Sequence, residues 1–315
     1  MRVGVDIGGM SIKIGLVTED FEIVAKKVIP TEVGTKTPRQ IAEAISSAIQ
    51  ELFRERGESL RECTAVGIAC PGTVDAKKGV VVYSNNIHWK DVPLIDWMKE
   101  FLNLPMALAN DADAAALGEV LAGAAVGKED ALLITLGTGV GGGVVLNKRI
   151  FMGPLRGGCE PGHTVVQVGR RLCTCGRKGC LEAYASATAL MNSALEKAIE
   201  NPASELYRLY EGNGKKMDGR LVYEAVKTGD KVSRAVLEEY ETYLSEGIAN
   251  LINIFRPQVV ILGGGISNQK ENLTRPLQDK VAELCFGGED SEIPEIVTSC
   301  LGNDAGIIGA AFVKY

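Results

Sequence analysis

Four side chains in one part of this sequence have the types and spacing of metal ligands. They follow the pattern H-x9-C-x-C-x4-C and are His163, Cys173, Cys175 and Cys180. Three thiolates and one imidazole suit tetrahedral zinc, and glycines between the cysteines permit the tight turns of such a site. Two other interpretations are unrelated buried thiols and a redox pair. Because the chain has only two histidines, one of them beside three clustered cysteines favours a structural zinc ion.

Three glycine-rich segments could bind an anion through backbone N–H groups: Gly8-Gly9, Gly137 to Gly143 and Gly263 to Gly265. Glycine has no Cβ to obstruct a phosphate, and three such segments in one chain suggest a nucleotide. A dinucleotide-binding fold is disfavoured, because the G-x-G-x-x-G of 137–142 is followed by strand-like residues 144–146 rather than by a helix. A P-loop is excluded, since Gly127-Lys128 is followed by Glu129 where Ser or Thr is required.

Two acidic positions lie where buried strands are predicted to end. Asp6 precedes the first glycine turn, where its carboxylate could orient a magnesium ion, through water, on bound phosphates. The alternative for Asp6 is an Asx turn. Asn110-Asp111 lies between a short strand and a helix, and there Asp111, kept ionised by the helix dipole, could orient and deprotonate a hydroxyl. Taken alone, this pair is more typical of a helix cap and a charge that complements the dipole.

The segment that begins at Asp6 resembles a known phosphate loop. Asp6-Ile7-Gly8-Gly9-Met10-Ser11-Ile12-Lys13 is similar to the D-x-G-G-T-x-x-K pattern of the sugar kinase, actin and Hsp70 superfamily. The sequence departs from that pattern at Met10, where threonine is usual. Phosphate binding would therefore rest more on backbone N–H groups and metal than in the family pattern.

A more specific resemblance surrounds the cysteines. Glu160-Pro161-Gly162-His163, followed by the run from Cys173 to Glu182, strongly resembles the ROK family of bacterial sugar kinases and repressors. The similarity extends from Asp6 to Gly306, and Tyr184 to Thr188 is most like the glucokinases of that family.

The resemblance implies ATP-dependent phosphorylation of a hexose at its 6-hydroxyl, with glucose as the expected hexose. Alternative acceptors are fructose, N-acetylglucosamine, N-acetylmannosamine and allose. A sugar-sensing regulator without enzymatic activity is a further alternative, but it would need a DNA-binding helix-turn-helix ahead of a core that here begins at Arg2. Members of the family are usually dimers, so the resemblance also implies a homodimer.

The resemblance assigns roles to individual residues. It implies Asp111 as catalytic base, and hydrogen bonds to the sugar from Asp111, Asn110, Glu160, His163 and Glu182. Mg²⁺ and ATP would be bound by Asp6, Gly8, Gly9, Lys13, Gly137, Thr138, Gly139, Gly264 and Gly265. The structural zinc ion would hold both glutamates in place, because they flank its ligands.

Hydrophobic periodicity places these residues on an α/β scaffold. Buried strands are predicted at 3–7, 12–17, 65–69, 106–109, 131–136, 144–146 and 259–262, and helices at 38–56, 111–122, 181–201, 231–255 and 305–313. Two strand–glycine turn–strand units, at 5–16 and 134–146, resemble each other and suggest two related domains.

The resemblance refines this class to the two-domain sugar kinase, actin and Hsp70-like fold, with ribonuclease H-like cores and an interdomain cleft. We expect an N-terminal α/β domain at 1–117, with the C-terminal helix 304–315 packing back on it. The larger α/β domain, 118–303, would carry the zinc site.

The composition agrees with a globular protein. The 315 residues are 46% hydrophobic and 23% charged, and the net charge of −6 gives no global reason to bind nucleic acid or an anionic membrane. No apolar run approaches the roughly 20 residues that cross a bilayer. The N-terminus also lacks the apolar core of a signal peptide. We therefore expect a cytoplasmic protein whose eight cysteines are thiols or metal ligands.

Overall fold

The computed structural model describes residues 1–153, 157–288 and 292–313. Its strands are β1 (Arg2–Ile7), β2 (Ser11–Val17), β3 (Ile23–Pro30), β4 (Ala65–Cys70), β5 (Thr73–Asp75), β6 (Val80–Ser84), β7 (Trp89–Val92), β8 (Met106–Asn110), β9 (Ala131–Leu136), β10 (Val140–Leu146), β11 (Arg149–Ile150), β12 (Val259–Gly263) and β13 (Glu295–Thr298). Its helices are α1 (Pro38–Glu55), α2 (Leu94–Lys99), α3 (Asp111–Ala122), α4 (Glu182–Ala185), α5 (Ala187–Glu200), α6 (Glu205–Gly212), α7 (Gly219–Lys227), α8 (Lys231–Phe255), α9 (Glu271–Leu284) and α10 (Ala305–Ala311). The α/β class predicted from the sequence is confirmed.

The chain divides into two compact units. The first comprises Met1–Leu133, Gly142–Cys159 and Ser299–Tyr315, and the second comprises Ile134–Gly141 and Glu160–Thr298. The first unit therefore contains both ends of the sequence, and the division falls within β9 and β10. The domain boundaries expected from the sequence, 1–117 and 118–303, stay a prediction. The predicted ranges also include 154–156, 289–291 and 314–315, which lie outside the described residues.

A five-stranded sheet in the order β3-β2-β1-β4-β8 forms the centre of the first unit. β1, β2 and β3 are antiparallel neighbours, whereas β1, β4 and β8 run parallel. Asp6 pairs with Ala69, and Cys70 pairs with Asn110, so the carboxyl ends of the three parallel strands meet at one edge. Open α/β sheets bind their ligands outside this edge.

Helix α1 packs against β2 and β3. Its start is fixed by a capping box, in which the side chains of Thr37 and Gln40 each accept a backbone N–H of the other residue. Its buried apolar side chains recur at helical spacing and include Ile41, Ile45, Ile49, Leu52 and Phe53. Burying each of the larger ones contributes about 1.5–3 kcal/mol. The helix predicted at 38–56 is confirmed.

Helix α10 lies in backbone contact with β1, β4 and α3. A Cβ on Gly4 or on Gly67 would collide with carbonyl oxygens of α10, and a Cβ on Gly309 would collide with a carbonyl oxygen of α3. Glycine is required at these positions because the backbones approach too closely for any side chain. A helix from the C-terminal part of the sequence therefore packs directly on the central sheet of the first unit.

The second unit contains helices α4 to α9. The 25-residue α8 packs against α4, α5, α7 and α9, which confirms the helix predicted at 231–255. A second five-stranded sheet has the order β11-β10-β9-β12-β13, in which β12 and β13 are parallel. A small antiparallel sheet, β5-β6-β7, belongs to the first unit. No helix of the described residues is both long enough and apolar enough to span a bilayer.

Two sequence predictions in this region were wrong in detail. The single helix expected at 181–201 is interrupted at Ser186, which is extended and caps α5 by accepting the backbone N–H of Ala189. The glycine segment expected as a turn at 137–143 is a turn only as far as Gly139, because β10 begins at Val140. Three consecutive glycines, Gly141–Gly143, therefore lie within a strand, although glycine content alone suggested a loop.

Candidate functional site

In the first unit, Asp6 and Lys13 are paired across the β1–β2 hairpin. The ammonium group of Lys13 donates to Asp6 Oδ2 over 3.3 Å and to Asn303 Oδ1 over 3.3 Å. Burial raises the pKa of Asp6, and the charge and hydrogen bond of Lys13 oppose that rise. An acid and an ammonium group held together at the carboxyl end of a strand have the chemistry to bind phosphate together with Mg²⁺.

The turn between β1 and β2, residues 8–10, presents backbone N–H groups. The N–H of Gly8 is used within the turn, where it donates to the carbonyl oxygen of Ser11 over 2.9 Å. No described residue accepts the N–H of Gly9 or of Met10. The Met10 side chain is 91% exposed and has no hydroxyl. An anion at this turn would therefore be held by backbone donors.

Asn110 ends β8 and caps α3. Its Oδ1 accepts the N–H of Ala112 over 2.8 Å and that of Asp113 over 3.3 Å, while Nδ2 donates to the carbonyl oxygen of Gly72 over 3.1 Å. The structure thus gives Asn110 the capping role that its position favours. A hydrogen bond from Asn110 to a sugar stays a prediction, and it would use the second N–H of the amide.

Asp111 is the first residue of α3 and is partly buried. Burial raises the pKa of Asp111, and the nearby Asp6 carboxylate adds to this rise. The N–H of Ala112, 2.9 Å from Asp111 Oδ1, opposes it but does not cancel it. A carboxylate with a raised pKa at the edge of the sheet is suited to accept a proton from a hydroxyl near neutral pH.

In the second unit, His163 and the three predicted cysteine ligands come together. Their ligand atoms all lie within 4.8 Å of one another. The distance from Cys173 Sγ to His163 Nδ1 is 3.6 Å, and that from Cys175 Sγ to Cys180 Sγ is 3.7 Å. Zinc with bonds of about 2.0–2.3 Å separates tetrahedral ligands by roughly 3.5–3.8 Å, and both of these separations match that range. Because Nδ1 faces the cysteines, Nε2 of His163 is left for a second partner.

Glu182, the first residue of α4, connects this cluster to the start of β10. Its Oε2 accepts the N–H of Val140 over 3.1 Å. Its Oε1 accepts the hydroxyl of Thr174 over 2.7 Å and the thiol of Cys173 over 3.3 Å. Burial acts to raise the pKa of Glu182, but these hydrogen bonds outweigh it and hold the pKa below its usual value. The carboxylate is therefore ionised at neutral pH and fixed in orientation.

The glycine turns of the second unit leave backbone accessible. A Cβ on Gly137 or on Gly265 would meet no heavy atom within 4 Å. Gly264 has φ +85°, and a Cβ there would collide with the backbone of Leu136, so that only glycine fits. Open backbone of this kind after β9 and β12 is suited to phosphate or to a nucleoside.

A cavity of about 400 Å³ lies beside the turn after β9, within the second unit. Its lining includes Thr138, Thr174, Glu182, Thr188 and Asn192. Ligand sites in proteins commonly have volumes of about 300–1,000 Å³. The hydroxyl, amide and carboxylate groups of this lining suit a polar ligand.

The structure distributes the predicted site residues over both units. The first unit holds Asp6, Gly8, Gly9, Lys13, Asn110 and Asp111, and the second holds Gly137, Thr138, Gly139, Glu160, His163, Cys173, Cys175, Cys180, Glu182, Gly264 and Gly265. Glu160 is exposed and precedes a short turn in which its carbonyl oxygen accepts the N–H of His163 over 3.1 Å.

Two contacts of the candidate site were missed from the sequence. Thr174 lies between two predicted metal ligands, but a hydroxyl beside a cysteine carries no spacing signal of its own. Asn303 could have been singled out, because the family resemblance ends with the segment Asn303–Gly306. In the structure, Asn303 accepts a hydrogen bond from Lys13.

The architecture is that of solved sugar kinases. A ROK family glucokinase from Streptomyces griseus, solved in complex with glucose and AMPPNP, is 35% identical to this chain. The two superpose with a TM-score of 0.78 over 98% of this chain and 97% of the other. The expected two-domain sugar kinase fold is confirmed.

The sequence itself matches the model of the ROK family over residues 2–314, and the chain belongs to this family. The glucokinase of Thermotoga maritima is 37% identical over 312 residues, which cover 99% of this chain and 96% of the relative. The glucokinase of Halalkalibacterium halodurans is 36% identical over 315 residues, which cover 99% and 94%. The resemblance inferred from the motifs is confirmed.

Proposed function

We propose that this protein is an ATP-dependent glucokinase, which transfers the γ-phosphoryl group of ATP to the 6-hydroxyl of glucose. The observation that carries the proposal is the 37% identity to a glucokinase over 99% of the chain. In the reaction a bond forms between the sugar oxygen and the γ-phosphorus. The bond from that phosphorus to the bridging oxygen breaks, and the products are ADP and glucose 6-phosphate.

Asp111 is the catalytic base of this proposal. Its carboxylate accepts the proton of the 6-hydroxyl as that oxygen attacks the phosphorus. The raised pKa of Asp111 supports the role, because a base that retains some proton affinity is the more effective one near neutral pH. Asn110, Glu160, His163 and Glu182 would orient the sugar through its other hydroxyls.

ATP would be bound by both groups of glycine turns. The free N–H groups of Gly9 and Met10 suit phosphate oxygens, as does the ammonium group of Lys13. Further contacts would come from Gly8, Gly137, Thr138, Gly139, Gly264 and Gly265. Mg²⁺, oriented by Asp6, would neutralise phosphate charge when bound.

The metal of the His163 cluster is proposed to be a structural zinc ion. Three thiolates and an imidazole at these separations suit zinc better than Mg²⁺ or Ca²⁺, which prefer oxygen ligands. Its role would be to hold Cys173 and His163 in one arrangement, and to fix Glu182 through the hydroxyl of Thr174 beside Cys173. The homodimer and the cytoplasmic location expected from the sequence stay predictions.

A coupled assay of ADP release over a panel of hexoses tests the function. Glucose should give the highest kcat/KM among glucose, fructose, N-acetylglucosamine, N-acetylmannosamine and allose. Zinc is measured on the same preparation, and about one ion per chain is expected. A higher kcat/KM with another sugar would reassign the substrate, and no ADP release with any of them would refute the kinase.

A further inference from the structure

We propose that Thr31 is the positioning residue of the N-terminal phosphate turn, residues 8–10; the inference rests on the proposed function. Thr31 directly follows β3 and is completely buried. Its hydroxyl donates to the carbonyl oxygen of Gly8 over 2.6 Å, and its backbone N–H donates to the carbonyl oxygen of Met10 over 3.1 Å. One residue outside the turn therefore holds the turn at both ends.

The hydroxyl contact determines where a neighbouring donor points. The carbonyl of Gly8 and the N–H of Gly9 belong to one planar peptide and point in opposite directions. Because the Gly8 oxygen points at the Thr31 hydroxyl, the Gly9 N–H of the same peptide points away from Thr31. This is one of the two N–H groups that no described residue accepts.

The same contacts remove repulsion from the site. Carbonyl oxygens that faced a phosphate would repel its negative charge. Those of Gly8 and Met10 are held by Thr31, and that of Ser11 accepts the N–H of Gly8. These three carbonyl oxygens are thereby kept from facing a bound anion, while the N–H groups of Gly9 and Met10 stay available, as an anion site requires.

The role of Thr31 matters more in this chain because the residue at position 10 is methionine. The family pattern has a threonine hydroxyl there, but Met10 supplies none. Phosphate binding at this turn depends on the orientation of backbone N–H groups. The hydroxyl of Thr31 controls the orientation of one of them.

The test compares Thr31→Val, which keeps the shape and loses the hydroxyl, with Thr31→Ser, which keeps the hydroxyl. For Thr31→Val we expect the KM for ATP and the Kd for Mg²⁺-AMPPNP to rise about tenfold, as for the loss of one good hydrogen bond, with the KM for glucose unchanged. Thr31→Ser should recover most of the loss. Thr31→Ala serves the same comparison if the valine variant does not fold.

Ser46→Ala is the matched control. The Ser46 hydroxyl is also buried in the first unit, and it donates to the carbonyl oxygen of Ala42 within α1. The control should lower Tm without changing either nucleotide constant. Equal nucleotide constants for wild type and Thr31→Val, or an equal defect in Thr31→Ser, would overturn the proposal. A wild-type protein that binds AMPPNP but phosphorylates no hexose would instead refute the proposed function, and the AMPPNP comparison would still decide the role of Thr31.

Discussion

Glu182 Oε2 accepts the backbone N–H of Val140 over 3.1 Å, and this single hydrogen bond ties the metal cluster to the glycine turn that precedes β10. The other oxygen of the same carboxylate accepts the hydroxyl of Thr174, which directly follows the candidate metal ligand Cys173. The position of the turn is therefore coupled to the arrangement of the cluster. Loss of the metal should be detectable in substrate binding as well as in stability.

Cys175→Ser should release the metal and weaken sugar binding. Cys175 is an exposed candidate ligand, so its replacement leaves no cavity in the core. Serine is a poor zinc ligand, and the cluster would lose one of four donors. We expect substoichiometric zinc by elemental analysis, a lower Tm, and a raised KM for glucose.

Cys300→Ser is the control for this substitution. Cys300 is likewise exposed but lies outside the cluster. Zinc content and the KM for glucose should match those of wild type. A metal-free Cys175→Ser protein with an unchanged KM for glucose would show that the metal does not organise the sugar site.

Asp111→Asn should lower kcat by roughly 10²–10⁴ and leave glucose binding largely intact, because asparagine keeps the shape but cannot accept the proton. The measurement is steady-state kinetics together with glucose binding by calorimetry. Asp96→Asn is the matched control, since Asp96 also lies in the first turn of a helix of the first unit but is exposed. Near-wild-type turnover by Asp111→Asn would remove Asp111 from the mechanism.

The pH dependence of kcat should show an acidic limb that belongs to Asp111. The base acts when ionised, so kcat rises with pH through its pKa and then levels off. Because burial raises the pKa of Asp111, the midpoint should lie above the ordinary value of 3.8 for an aspartate. The limb should be absent from the residual activity of Asp111→Asn, and its persistence there would assign it to another group.

Met10→Thr should increase kcat/KM for ATP by up to about tenfold, because it restores a hydroxyl to the phosphate turn. Tm should not change, since the Met10 side chain is 91% exposed and packs against little. Met10→Val controls for shape, as it is branched like threonine but has no hydroxyl. Equal kcat/KM in the two variants would show that the turn works through its backbone alone.

Glu241→Gln should stabilise the second unit at high pH. Glu241, on α8, is only 6% exposed, and burial is the main reason that its pKa rises to about 7, although Lys280 opposes the rise. A carboxyl with a raised pKa in the folded state binds its proton more tightly there than in the unfolded state. It therefore costs stability as pH increases from about 4.5 to about 7.

The variant should exceed wild type by ~1–2 kcal/mol in free energy of unfolding at pH 8 and match it near pH 4.5. Denaturation in urea at the two pH values gives this comparison. Glu196→Gln is the control, because Glu196, on α5 of the same unit, is exposed and is not among the groups that shift the pKa of Glu241. A pH-independent difference would mean that Glu241 does not titrate in this interval.

The metal cluster and the strands of the first sheet could be predicted from the sequence because their signals are local. The four candidate metal ligands are close along the chain, and β1, β4 and β8 are short apolar runs. The edge strand β3 was not predicted from the sequence, because its lysines, such as Lys26 and Lys27, interrupt the apolar pattern. Charged residues are common on the edge strands of sheets.

Contacts between distant parts of the chain could not be predicted from the sequence. Thr31 contacts Gly8, and Asn303 contacts Lys13, only because the sheet and α10 bring them together. The break at Ser186 was missed for a different reason, since the apolar pattern continues through it. There a serine that can cap the next helix outweighs the periodicity.

The glycine contacts of α10 have a consequence for synthesis on the ribosome. Gly4 and Gly67 precede the second unit in the sequence, whereas the helix that fills the space beside them follows it. Until it emerges, β1 and β4 present an uncovered groove during translation of the whole second unit. The close packing on Gly4 and Gly67 can therefore form only after the second unit has been synthesised.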